Sequence, residues 1–365
     1  MHRTGALRGG RDEAAFVSTG PCRRRRTCRR RSTRLTSASA TSGTGRCPGS
    51  TPALAAVDPD RFGLAVVAAD GRTWAAGDAS TVFTIMSVVK PFTFALLCEA
   101  VGAQEARRCT GSDATGRAFD SAAAVEQSPD GRTNPMVNAG ALVAVGGLPG
   151  PSVEARWQRT TDGLARFAGR VLTLDHAVYA SAVATNSRNR ALAHLVGSRG
   201  LLGAGADETV ELYTRISCLS IDAHDLAVMG AVLADDGVNP VTGERVVGPD
   251  TCRAVLAAMT TAGLYATSGD WLQDVGLPGK SGIGGGIITI APGKGALSTF
   301  APRLDGSGNS VRGQLAARHL SRALGLDVFP SAAGGRPGRS GTRRGLTPPA
   351  SAAATAPDGL LPCGS

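Results

Sequence analysis

Residues 84–97 read "TIMSVVKPFTFALL" and contain Lys90, one of only three lysines in a 365-residue chain that otherwise writes its positive charge as arginine, 36 times. The distinction is chemical. A guanidinium stays protonated inside proteins, whereas a lysine amine taken out of water can lose its proton and act as a base. Ser87 precedes Lys90 by three residues, and residues three apart on a helix share a face. The pair therefore reads as a nucleophile with its base, Ser-x-x-Lys. Pro91 fixes the placement, because proline is tolerated in the first turn of a helix and not in its interior. A helix is predicted over 87–101, with Ser87 at its mouth, where unpaired backbone N–H groups can hold an oxyanion. A solvated lysine near an unrelated serine is the competing reading of the motif taken alone.

Working outward, residues 58–77 include "FGLAVVAADGRTWAAG" and read as two strands joined by an Asp-Gly turn. After the Ser87 helix comes a loop-rich middle with several helical patterns. The clearest is "DAHDLAVMGAVLADDG" at 222–237, with Asp222 as N-cap, Asp225 three residues on and Gly237 as terminator. Further helices are predicted over 188–197, 207–217 and 250–261, strands over 286–293 and 295–302, and a last helix over 310–325. Strands at both ends of this body, with helices between them, predict an α/β (α+β) protein. One antiparallel sheet would be built from both ends, and the helical middle would form a second lobe. The Ser87 helix falls at their junction, where ligand clefts usually open. No internal repeat is evident.

Composition divides the chain. Residues 1–50 carry a formal charge of +10 and residues 331–365 carry +3, which leaves −3 for 51–330. The basic character belongs to the ends. The head, with "CRRRRTCRRRSTR" at 22–34, has no apolar periodicity and reads as disordered. Such an arginine run can bind nucleic acid or an anionic membrane without specificity, and a solvated tail is the alternative. The expected division is a disordered head over 1–49, a catalytic domain over 50–330 and a disordered Pro/Gly/Ser-rich tail over 331–365. No apolar h-region stands near the first residue and no run of 18 apolar residues occurs, so neither a secretory signal nor a membrane span is expected. Cys98, Cys109, Cys218 and Cys252 are scattered without a CxxC pair, and the histidines are few. That pattern suits free thiols in a reducing cytoplasm and no metal site.

Six stretches then occur in order: "FTIMSVVKP", "NPMVNAGAL", "ATNSRNRA", "ELYTRISC", "GLYATSGDW" and "GLPGKSGIGGGI". Together they resemble the serine-dependent glutaminases, which have the fold of serine β-lactamases and penicillin-binding proteins. The resemblance runs over roughly residues 52–329. It implies hydrolysis of L-glutamine to L-glutamate and ammonia without a cofactor. Ser87 would be the nucleophile, Lys90 its base and Tyr265 the proton donor to ammonia. Backbone N–H groups of Ser87 and Ile283 would form the oxyanion hole, and Asn138, Asn189 and Tyr213 would touch substrate. The chemistry is coherent in itself: an amide needs a nucleophile, an oxyanion site and a proton donor for its nitrogen. The family also implies a homotetramer or homodimer. Neither a specific nucleic-acid partner nor a membrane partner is expected.

Simpler readings exist for single residues. Asn138 could cap a helix, and Tyr213 and Tyr265 could be core aromatics. The glycines after Lys280 lack the order of a phosphate-binding loop and suit a strand passing close to a ligand. Lys280-Ser281-Gly282 resembles the Lys-Ser/Thr-Gly strand of the wider superfamily. Three positions depart from the family pattern: Met86 where Gln or Glu precedes the nucleophile, Ser50 where a tyrosine reaches the site, and Ala182 where a glutamate pairs with the substrate ammonium. A missing carboxylate opposite a buried ammonium costs about a few kcal/mol of binding. The alternatives are a catalytically impaired homologue that binds a metabolite, and a β-lactamase or penicillin-binding-type hydrolase. Against the latter, no Ser-Asp-Asn is present.

Overall fold

The structure is a computed structural model in which residues 44–47, 49 and 51–329 are described. Most of the arginine-rich head, Ser50 and the tail after Phe329 lie outside the described residues. Arg46, on the head side of the expected boundary, exchanges two 2.9 Å backbone hydrogen bonds with Leu304.

Alternation in "GLAVVA" and "TWAAG" builds the hairpin of β1 (Gly63–Ala68) and β2 (Thr73–Gly77). Its turn uses Gly71, at φ 79°, in the left-handed region that glycine enters without a steric cost. Two further pairings span two residue pairs each: β3 (Phe83–Thr84) with β5 (Leu219–Ile221), and β4 (Thr173–Leu174) with β5. Near the other end of the body, β6 (Gly279–Ser281), β7 (Gly286–Ala291) and β8 (Gly295–Phe300) follow one another. The main sheet has the order β2-β1-β8-β7-β6 and is antiparallel throughout. Strands from both ends of the body thus form one sheet, as the sequence predicts. A separate small sheet, β3-β5-β4, was not anticipated.

Every residue of β7 and β8 is buried, because helices cover both faces. Side chains alternate between two cores: Ala65, Val67, Ile288 and Ile290 face one, Leu64, Ile287 and Leu297 the other. The helices Ser268–Val275 and Val311–Leu324 supply Trp271, Ala316, Ala317 and Leu320 to the second core. The first core continues into the helical lobe through the helix Ala223–Ala234, which is buried on all sides except at His224. A helix apolar all round belongs in the middle of a protein. Asp222 accepts from Asp225 N at 2.8 Å and Asp225 accepts from Asp222 N at 2.9 Å, the predicted cap made reciprocal. Gly230 lets this helix lie on the sheet. A Cβ there would stand 2.5 Å from Ile288 Cδ1 and 2.8 Å from Ala296 Cβ.

The "loop-rich" middle is more helical than expected. Asn138–Gly146, Val153–Ala168 and His176–Ala184 are helices, and the first is buried along its whole length, so no amphipathic period marks it. The terminator Gly237 lies three residues beyond the end of its helix, after Asp236 at φ 48°. Among the described residues no helix is long and apolar enough to cross a membrane.

Candidate active site

The Ser87 segment differs from its prediction in one detail that matters. The α-helix begins at Lys90, and Ser87 sits on a 3₁₀ turn, Met86–Val89, that leads into it. Residues three apart eclipse one another in a 3₁₀ turn, and Lys90 Nζ lies 2.7 Å from Ser87 Oγ. The turn is aimed by β3, whose next residue, Ile85, donates its N–H to Leu219 O at 2.8 Å. Phe83 behind it stacks on Phe300, centroids 4.4 Å apart, and so ties the small sheet to the large one.

Lys90 is 1% exposed. Burial pushes its amine down to about 7, because the charged form is the one that loses hydration. Its hydrogen-bond partners are uncharged, and the Lys280 amine lies near enough to feel its charge. Lys90 Nζ donates to Asn138 Oδ1 at 2.9 Å, and Tyr213 OH reaches the same oxygen at 3.4 Å. From there a row of amides runs outward. Asn138 Nδ2 donates to Asn189 Oδ1 at 2.9 Å, Asn189 Nδ2 to Asn186 Oδ1 at 2.6 Å, and Asn186 Nδ2 to Thr214 Oγ1 at 2.6 Å. Thr214 Oγ1 then donates to Val210 O at 2.6 Å. Each amide orientation is set by its neighbour. Asn138 is therefore no helix cap: Val137 holds that position, and the Asn138 side chain points to the lysine instead.

Tyr265 is brought near Ser87 by the 3₁₀ turn Tyr265–Thr267. Its hydroxyl donates to Ser281 O at 3.1 Å, and burial pushes it up to about 12 while a hydrogen bond with Ser87 pulls the other way. Tyr213 is likewise raised by burial, with Ser87 again among its hydrogen-bonding neighbours. Lys280 is buried behind the Tyr265 ring. Met86 and Tyr265 hold φ at 43° and 60°, a conformation that costs non-glycine residues of order 1–3 kcal/mol and clusters at working sites. The strain falls on the residue before Ser87 and on the tyrosine beside it.

The cavity in front of Ser87 has a volume of about 180 Å³ and is lined by Ser87, Asn138, Asn189, Tyr213 and Ile283, five of the seven residues expected from the sequence. Lys90 and Tyr265 stand behind its wall, against Ser87. Ala182 and Met86 also line the cavity. So does Thr51, directly after the undescribed Ser50. Gly282 borders Ser87: a Cβ there would lie 3.1 Å from Ser87 N and 3.0 Å from Val88 N. Sequence reasoning missed Asp120, Arg188, Asn186 and Thr214, all on the cavity wall. Only Asn186 left a signal, three residues before Asn189 on one helical face. A larger groove of about 640 Å³ runs along Gln104–Thr133, lined by Arg107, Arg108, Arg117 and Arg132. Neither of its serines stands beside a lysine.

An antiparallel sheet between helices, a helical lobe and a Ser-x-x-Lys turn at their junction define the serine β-lactamase-like class. The comparisons narrow this. The family described as Glutaminase matches residues 45–329. Glutaminase 2 of Yersinia pestis is 56% identical over 280 residues, which cover 77% of this chain and 82% of that protein. A glutaminase of Brucella canis is 44% identical over 278 residues, 76% of this chain and 88% of that one. Among solved structures, a probable glutaminase, ybaS, superposes with a TM-score of 0.82 at 38% identity, covering 84% of this chain and 99% of that one. A probable glutaminase from Bacillus subtilis, complexed with 6-diazo-5-oxo-L-norleucine, gives 0.76 at 28% identity, covering 83% and 97%. The chain belongs to the glutaminase family.

Proposed function

We propose that this chain hydrolyses L-glutamine to L-glutamate and ammonia through a Ser87 acyl-enzyme. The observation that carries the reading is the 2.7 Å contact between Ser87 Oγ and the buried Lys90 amine, which burial pushes down to about 7. The neutral amine takes the Ser87 proton as Oγ attacks the side-chain carboxamide. The tetrahedral oxyanion faces the backbone N–H groups of Ser87 and Ile283, in the space that Gly282 leaves open. Tyr265, beside Ser87, relays the proton held by Lys90 to the departing nitrogen, the C–N bond breaks and ammonia leaves. Water then attacks the ester. Its proton passes to the same base, the acyl C–O bond breaks and Ser87 Oγ is reprotonated.

Asn138, Asn189 and Tyr213 line the cavity and would contact the substrate. A homotetramer or homodimer in the cytoplasm fits the family and the free thiols of Cys98, Cys218 and Cys252. The test is ammonia release from purified protein with L-glutamine, L-asparagine and a chromogenic cephalosporin. Turnover of glutamine alone is the expected result. Cephalosporin opening would favour the β-lactamase reading, and glutamine binding without ammonia would mark an impaired homologue.

A further inference from the structure

Among the described residues lining the cavity, Asp120 is the one carboxylate and Arg188 the one guanidinium. They come from distant parts of the chain and meet at the mouth. Arg188 Nε donates to Asp120 O at 2.8 Å and lies 3.8 Å from its carboxylate, with the two side chains 51% and 38% exposed. Both connect to the chemistry. The N–H of Asn138, the residue that holds Lys90, donates to Phe119 O at 2.8 Å, and Arg188 adjoins Asn189 on one helix.

A glutamine whose amide reaches Ser87 leaves two opposite charges, the α-ammonium and α-carboxylate, at the other end of the cavity. Moving an ammonium out of water against an uncharged wall is costly, and Ala182 offers such a wall. The Asp120–Arg188 pair is complementary to that zwitterion. Its carboxylate can face the ammonium, and its guanidinium can accept the carboxylate along a planar edge. Four charges of alternating sign then close a ring.

We propose that Asp120 is the residue that selects substrates bearing a free α-amine, with Arg188 receiving the α-carboxylate. The inference rests on the glutaminase reading above and assigns the part of the substrate that this reading leaves open.

The test compares L-glutamine with 4-carbamoylbutanoate, which keeps the amide and the carboxylate and lacks the amine. Asp120→Asn should raise KM for glutamine about tenfold with kcat nearly unchanged, and leave KM for 4-carbamoylbutanoate as it was. Ala182→Glu placed in the Asp120→Asn protein should return the glutamine KM toward its original value. Equal changes for both substrates, or none for either, would overturn the assignment. Ala182→Glu alone leaves the Asp120 loop intact and gives an independent readout. With Asp120 already supplying the charge, preference for glutamine should rise less than about threefold, and a tenfold gain would overturn the proposal. A parent protein that releases no ammonia from glutamine would overturn the glutaminase reading itself, whereas an active parent with an indifferent Asp120→Asn would overturn only the role of Asp120.

Discussion

Lys280 holds its amine 3.9 Å from the centre of the Tyr265 ring while donating to the carbonyl oxygens of Gly263 at 3.0 Å and Ser281 at 2.6 Å. The Ser281 oxygen also accepts from Tyr265 OH. Face and hydroxyl of the tyrosine are thus fixed by one amine and the carbonyl it binds. Lys280→Met keeps the stem and removes the donor, leaving Ser281 O with the Tyr265 hydroxyl and Gly263 O with the Ser281 N–H at 3.3 Å. We expect a kcat reduced roughly tenfold to a hundredfold, since displacing the Tyr265 hydroxyl from Ser87 would be expensive. KM should change less. An unchanged kcat would mean that Tyr265 keeps its place without Lys280.

Lys90→Arg preserves the charge and removes the capacity to be neutral. Hydrolysis should fall about as far as in Ser87→Ala, and the double variant should be little worse than either, because members of one catalytic unit lose most of their effect at the first deletion. Ammonia release by the three variants measures this. Near-normal turnover in Lys90→Arg would sink the role of the amine as base.

The pH dependence follows from the same residue. Lys90 must be neutral to act, so kcat/KM should rise through about pH 7 and then level. No descending limb from Tyr265 should follow until its hydroxyl titrates at about 12. Stability should move in the same direction. The unfolded chain holds the Lys90 proton up to 10.5, the folded one only to about 7, so between these values unfolding takes up a proton and rising pH favours the fold. Below about 7 the burial cost is present in full, on the order of 5 kcal/mol, and above 10.5 it is gone. Lys90→Met should therefore melt above the parent at pH 7 while being inactive, with the gap closing toward pH 10. A gap that stays flat would mean that Lys90 remains protonated in the fold.

Gly282→Ala tests the oxyanion site without touching a side chain. The added Cβ meets Ser87 N and Val88 N at 3.1 and 3.0 Å, closer than the neighbours tolerate without a small shift. Losing one oxyanion donor costs about a hundredfold to a thousandfold in kcat, and partial displacement should give roughly tenfold to a hundredfold. Tm should fall slightly and KM little. Full activity would place the oxyanion elsewhere.

The ends should contribute nothing to the core, since neither 1–43 nor 331–365 carries an apolar period to bury. A fragment of residues 44–330 should melt within a few degrees of the whole chain. Trimming further to residue 50 removes the ladder between Arg46 and Leu304 and should lower Tm measurably. A large loss already at 44–330 would show that an end packs on the body.

What the sequence disclosed depended on whether a physical signal was local. The β1–β2 hairpin, the reciprocal cap at Asp222 and the Ser87–Lys90 spacing each lie within a few residues and were read correctly. The helix Asn138–Gly146 was missed because burial on all sides erases amphipathicity. Strands of two or three residues, β3 to β5, are too short to alternate. The left-handed turns at Met86 and Tyr265 carry no glycine to announce them. Asp120 and Arg188 stand 68 positions apart, and only the folded chain makes them neighbours.

The row of amides from Lys90 to Val210 has a direction. Every member gives its hydrogen to the next, and the last gives to a helix carbonyl that has no proton to return. Asn138 can turn its carbonyl away from the lysine only if all the amides beyond it reverse together. None of those groups changes charge at any ordinary pH, so the lysine faces a fixed dipole that does not answer its own ionisation. A carboxylate in that position would hold the proton on. An amide oxygen favours the ammonium far less than a carboxylate would and still accepts from the neutral amine, so the proton can leave without breaking the contact.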